Sequence, residues 1–255
     1  GRSILPGQTP TEIDHLSRYD EEIGASLRRI GRSSPPVILA HSAGGLVATL
    51  YALRHPGTVR GLALNSPWLE MHLGPGTRKL LEGPVHLLAR RLRSRPILPV
   101  GDDAYARATH RDMGGDYDYD LGLKPPGGHR FPASTLRAML DGHRRLAAAG
   151  PLAAPTLVLH SDRTAITSRR GERPLHADTV LDVRSLAAAA RRLGPRVRVV
   201  PVEGARHDVF LSDPPVRAKA IEILDDWLAT DLLAAPTMTG TGRTAGPDAS
   251  ETGTS

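Results

Sequence analysis

The chain has 255 residues, 40% of them hydrophobic and 24% charged, enough to bury one sizeable core, and no apolar run approaches the ~18 residues of a membrane span. It has no cysteine, which excludes disulfides, thiolate metal sites and a cysteine nucleophile and fits a cytoplasmic protein. The net charge of +6 comes from arginines scattered through the chain, and with aromatic residues at 4% no basic stripe carries stacking rings, so nucleic acid is not an expected partner.

The opening GRSILPGQTP begins without methionine and reads like the interior of a longer protein. Ile13, Leu16, Tyr19, Ile23, Leu27 and Ile30 recur at helical spacing after the turn signals Pro10 and Thr11, which predicts a helix over 12–30. Residues 35–41, PPVILAH, predict a strand buried on both faces. The small residues SAGG follow at once, then a helix that Pro56 halts, then a second buried strand over 59–67. That alternation predicts a parallel sheet flanked by helices, an α/β architecture.

From about Trp68 the pattern changes. Helical pieces over 77–92 and 133–149 surround an irregular centre, HRDMGGDYDYDLGLKPPGGHRF, and a stretch this long inside a compact domain is expected to act as a lid. The core pattern then resumes with a strand over 155–160, a helix over 180–194, a strand over 196–202 and an amphipathic helix over 214–228. The expected organisation is therefore a core from 1–69 and 151–234, a lid or cap insertion over 70–150, and a disordered tail over 235–255.

The motif that carries chemistry is LAHSAGG. A buried strand, a serine, small residues two before and two after it (Ala40 and Gly44) and an immediate helix form the pattern of a nucleophile elbow, with Ser42 at the tip. Alanine stands at position 40 where glycine is usual. The turn places the Ala43 N–H at the helix start, where an orphan donor and the helix dipole favour an oxyanion. In such a fold the partners follow in the order serine, acid, histidine. Of the 11 histidines, only His207 lies between the last strand and the last helix. Asp178 and Asp162 compete as the acid. A single helix and strand fill the gap from Asp178 to His207, so Asp178 is the choice and Asp162 the alternative. Asp182 is placed to cap the helix that begins at Val183. Asp208 adjoins His207 and reads as structural. His41, Trp68 and His160 are expected to line the pocket.

Together these residues resemble the α/β-hydrolase superfamily, and within it the monoacylglycerol lipase and lysophospholipase-like branch, also labelled serine aminopeptidase S33-like. The resemblance runs from the first residues to about Leu233 and includes SPWLE, GGDYDYDLGLKP and GARHDVFLS. In that branch the acid stands in an A-D-x-x-x-D segment, which matches Ala177, Asp178 and Asp182. The resemblance also implies a His-Gly loop on an earlier strand that supplies a second oxyanion donor. Nothing before Ser42 provides it, so the expectation is an N-terminally incomplete fold.

The implied activity is cleavage of a small-molecule carboxylic ester, lipid-like or short, through an acyl-enzyme, with no metal and no organic cofactor. Peptide cleavage on the same triad and a non-catalytic binding role are the alternatives; an epoxide hydrolase would place a carboxylate where Ser42 stands. The arginines at 90, 91, 93 and 95 read as a solvated helix face, and Asp116–Asp120 lacks the glycine and glutamate spacing of a calcium loop.

Overall fold

The computed structural model describes residues 4–31, 34–71, 75–98, 103–166 and 176–232. In chain order the elements are α1 (Tyr19–Ile30), β1 (Val37–His41), α2 (Ala43–Arg54), β2 (Gly61–Asn65), α3 (Pro75–Arg91), β3 (Pro96–Leu98) and α4 (Ala104–Thr109). They continue with β4 (Phe131–Pro132), α5 (Ala133–Ala147), β5 (Thr156–Ser161), α6 (Val183–Arg192), β6 (Val197–Val202) and α7 (Pro214–Trp227).

The strands β1, β2, β5 and β6 form one parallel sheet in that order, with His41 level with Asn65 and Ser161 level with Val202. All four therefore end at the same edge, and the turns that leave their C-terminal ends meet there. This is the edge at which open α/β sheets bind ligands. One face is covered by α2, α5 and α6, whose Leu46, Leu50, Met139, Leu146, Leu186 and Ala190 bury against Leu62, Leu64 and Val158. The other face carries α7, with Trp227 over Leu157, Leu159 and Ala63. Gly61 is required there, because a Cβ would lie 2.6 Å from Leu232 and 3.1 Å from the Pro155 carbonyl. α5 lies within the 70–150 insertion yet packs into the same core as α2. The hairpin β3–β4 pairs antiparallel before it.

Two expectations change. The helix expected over 12–30 starts at Tyr19, preceded by a short turn over Leu16–Arg18. The chain ahead of it is captured by α5: Ile13 N–H donates to Thr135 Oγ1 at 3.2 Å, and that hydroxyl donates to the Thr11 carbonyl at 2.8 Å. His15 then caps the turn through Nδ1. Farther along, α1 is stapled to α2 by Arg54, which donates two bonds to Asp20 at 2.8 and 2.6 Å. Strand β1, expected to be buried on both faces, is an edge strand among the described residues, and Leu39 at its centre is 58% exposed. A run such as VILAH reads as interior wherever it stands; pairing on one side only is a property of the assembled sheet. The tail expected to be disordered lies outside the described residues. No described helix is long and apolar enough to cross a membrane.

Candidate active site

Ser42 sits between the last residue of β1 and the first of α2 with φ 53° and ψ −122°, a left-handed conformation that costs a non-glycine residue of order 1–3 kcal/mol. The turn is held from both sides. Ser42 N–H donates to the Asn65 carbonyl at 3.0 Å, while the Ser42 carbonyl accepts from Gly45 and Trp68 N–H, each at 2.9 Å. The close approach that fixes the elbow lies at Gly45, where a Cβ would come within 2.5 Å of the Pro67 side chain; a Cβ at Gly44 meets nothing within 4 Å. The steric demand expected at Gly44 is thus found one residue later, because Pro67 packs against the first turn of α2. Ala43 opens the helix, so its N–H is among the donors that the helix cannot satisfy internally.

His207 Nε2 stands 3.1 Å from Ser42 Oγ and its Nδ1 stands 2.9 Å from Asp178 Oδ2. The imidazole is 4% exposed and its Asp178 partner is fully buried, while Ser42 is half-buried. The second Asp178 oxygen accepts from Val180 and Leu181 N–H at 2.8 Å each. The Asp178 oxygens act as acceptors in these bonds, and accepting from Nδ1–H presents the lone pair of Nε2 to Ser42. Asp162 lies elsewhere. Its Oδ1 accepts from Gly204 N–H at 2.9 Å and its Oδ2 pairs with Arg163. Partial burial raises its pKa, but Arg163 and the Gly204 amide outweigh this and hold it below the usual range. It braces the loop leading to His207. Asp182 caps α6 by accepting from Arg184 and Ser185 N–H.

His41 comes against the site, its ring 4.8 Å from that of His207. Its Nδ1 donates to the Asn65 carbonyl at 3.0 Å, and burial and the neighbouring His207 push its pKa down. Trp68 packs edge-on to His143 and Phe131, with its backbone N–H on Ser42. His160 is buried at the end of β5, its Nδ1 on the Ser161 carbonyl at 2.7 Å and its Nε2 without a hydrogen-bond partner. Burial lowers its pKa as well.

Four further side chains at the site are absent from the expectations drawn from the sequence. Asn65 donates from Nδ2 to Asp208 at 2.7 Å and accepts from Val209 N–H at 3.0 Å. A polar residue ending a buried strand is the one cue that pointed to it. Arg206 is buried beside His207 and pairs with Asp213 at 2.6 Å and Asp116 at 3.7 Å. The Tyr105 ring packs T-shaped with that of His207, centroids 6.3 Å apart, and Lys124 lies over the Tyr105 ring at 4.2 Å. These last two reach the site through a fold of the insertion that periodicity does not reveal.

The family model for Serine aminopeptidase, S33 matches residues 7–214. Lysophospholipase L2 of Escherichia coli is 26% identical over 246 residues, covering 84% of this chain and 64% of that protein. A monoacylglycerol lipase of Mycolicibacterium smegmatis is 26% identical over 200 residues, covering 78% and 63%. This chain thus spans somewhat under two thirds of the length of these curated relatives. Among solved structures, the monoacylglycerol lipase of Paleococcus ferrophilus superposes with a TM-score of 0.59 at 20% identity, covering 85% of this chain and 76% of that one. The monoglyceride lipase of Saccharomyces cerevisiae gives 0.61 at 17%, covering 90% and 74%.

Proposed function

The chain belongs to the serine aminopeptidase S33 family and has the α/β-hydrolase fold; from that premise we propose that it is a serine hydrolase of carboxylic esters. The observation that carries this reading is the continuous hydrogen-bonded chain from Ser42 Oγ through His207 to the buried Asp178. As Ser42 Oγ attacks the ester carbonyl, His207 Nε2 takes its proton. Asp178 holds the ring in the tautomer that allows this and stabilises the cation that forms. Charge on the carbonyl oxygen is met by the Ala43 N–H at the start of α2. His207 then returns its proton to the departing alcohol and activates the water that releases the acid.

The substrate class within this reading is an acyl ester of glycerol or of a glycerophospholipid. The names of the lysophospholipase and monoacylglycerol lipase relatives support it. The part of the insertion around α4 acts as the lid: the Tyr105 ring stands 6.3 Å from that of His207, so a substrate reaching Ser42 passes residues of this part. Fluorophosphonate labelling tests the reading. Ser42 is expected to be modified in the native protein, and both labelling and hydrolysis of p-nitrophenyl esters are expected to disappear in Ser42→Ala. A panel of rising acyl length, with an aminoacyl p-nitroanilide beside it, separates esterase from peptidase. Labelling away from Ser42, or activity that survives Ser42→Ala, would overturn the assignment.

A further inference from the structure

Among the described residues Lys124 is a cation without a carboxylate partner, placed beside the chemistry. Among the described residues no carboxylate lies within ion-pairing distance of its ammonium. Its partners among the described residues are aromatic: the Tyr105 ring at 4.2 Å, the Tyr119 ring at 5.2 Å and the Tyr105 hydroxyl at 3.0 Å. Tyr119 is spoken for, since its hydroxyl is bonded to Thr109 Oγ1 at 2.9 Å. Tyr105 is not. Lys124 has no lone pair, so the Tyr105 oxygen accepts from it and keeps its own proton to donate. The Tyr105 ring also stands 6.3 Å from that of His207, the two planes 75° apart. An ammonium and a phenol O–H thus stand together one ring away from the group that activates Ser42.

The acid nearest in influence is Asp208, but its oxygens are engaged elsewhere, Oδ1 by Asn65 at 2.7 Å and Oδ2 facing His41 at 3.9 Å. The Lys124 side chain as a whole is solvent-exposed, while crowding of its head by the rings lowers its pKa. Both features suit a donor that a ligand can reach and that is partly stripped of water. Such a hydrogen bond to an ionised group is worth more than a neutral one.

We propose that Lys124 and Tyr105 form an anion subsite beside the Ser42–His207 pair, which selects esters whose alcohol portion carries a phosphate or carboxylate. This rests on the ester-hydrolase reading above and narrows its substrate. A merely structural Lys124, pinning the insertion over Tyr105, would make no distinction among substrates by charge.

The test uses three esters of one acyl chain: monodecanoylglycerol, its phosphate monoester, and the decanoyl ester of glyceric acid. The readout is kcat/KM on each anionic ester relative to the neutral one, so a common loss from a loosened segment cancels. Wild type is expected to prefer an anionic ester, and the preferred one shows whether phosphate or carboxylate is the natural group. Lys124→Met is expected to lower that preference about tenfold or more, the size of one charged hydrogen bond. Tyr105→Phe, which keeps the ring, is expected to lower it less, and Lys124→Arg to retain most of it. Added salt should erode the wild-type preference. A wild type that favours the neutral ester, or a ratio unmoved by both Lys124→Met and Tyr105→Phe, overturns the subsite while the esterase reading stands. Hydrolysis of the neutral ester that persists in Ser42→Ala overturns the esterase reading instead.

Discussion

Asn65 Nδ2 donates to Asp208 at 2.7 Å, so the end of β2 grips the residue that follows His207. The same Asn65 accepts from Val209 N–H through Oδ1 and from Ser42 N–H through its carbonyl. One residue thus fixes both the nucleophile turn and the histidine loop, which come from opposite ends of the chain.

Asn65→Leu is therefore expected to cost more in rate than its distance from the reacting atoms suggests. The substitution keeps the volume but leaves the Val209 N–H and an Asp208 oxygen without partners, a loss of about 1–3 kcal/mol in stability. The expected result is a lower urea midpoint together with a kcat reduced by about tenfold or more and KM little changed, since a small displacement of the base is enough. Unchanged kcat alongside the stability loss would show that the loop holds His207 without this tie.

The two aspartates separate cleanly by substitution. Asp178→Asn preserves shape but puts an amide N–H where a carboxylate sets the tautomer of His207, and losses of about 10,000-fold in kcat follow such changes in serine hydrolases. Among the described residues Asp162→Asn touches the Gly204 amide and Arg163, so its rate should stay within about threefold of wild type. Ester turnover of the two variants, each checked for native circular dichroism, decides this. A large loss in Asp162→Asn alone would reverse the assignment.

Much of this site could be read before the structure was known, and the reasons are local. LAHSAGG announces an elbow because a reversing backbone at a strand–helix junction admits few residue types. His207 is the candidate base from its place between the last strand and the last helix, and Asp178 the candidate acid because one helix and one strand fill the gap to His207. What escaped reading depends on packing between distant segments. Leu39 belongs to an apolar run like any buried strand, yet nothing among the described residues pairs with its outer side. Lys124 and Tyr105 lie in a stretch without period, and Arg206 meets Asp116 across 90 residues of chain. The hydroxyl of Thr135 outbid helical hydrogen bonds for residues near Ile13, a competition that periodicity cannot register.

Acid should weaken the fold before it protonates the carboxylates. His41 and His160 both have pKa values lowered by burial from an ordinary 6.5. Below pH 6.5 the unfolded chain binds protons that the folded chain refuses, so stability present above that pH is lost as pH falls through the lowered values. His160 is the sharper case, since its buried Nε2 has no hydrogen-bond partner among the described residues to receive a proton's charge. Urea midpoints are expected to drop between about pH 7 and pH 5, and the drop is expected to shrink in His160→Leu, even though that variant loses the bond to Ser161. An equal drop in wild type and variant would place the proton uptake elsewhere.

Gly45→Ala tests whether the elbow depends on close packing at the helix start. Alanine is the better helix former by about 1 kcal/mol, so an unconstrained site would gain stability. Here the added methyl would stand 2.5 Å from Pro67 Cβ and 2.9 Å from its Cα, contacts that a ring and backbone cannot relieve by changing rotamer. Overpacking of this kind costs about 1–3 kcal/mol, which outweighs the propensity gain. The strain falls on the turn that holds Ser42, because Pro67 adjoins Trp68, whose N–H bonds to the Ser42 carbonyl. Gly45→Ala is therefore expected to lower both thermal midpoint and fluorophosphonate labelling rate. Gly44→Ala, with open space at its Cβ and a helical position, is expected to be neutral or slightly stabilising. Matched losses at the two positions would mean that helix geometry, and not contact with Pro67, sets the demand for glycine.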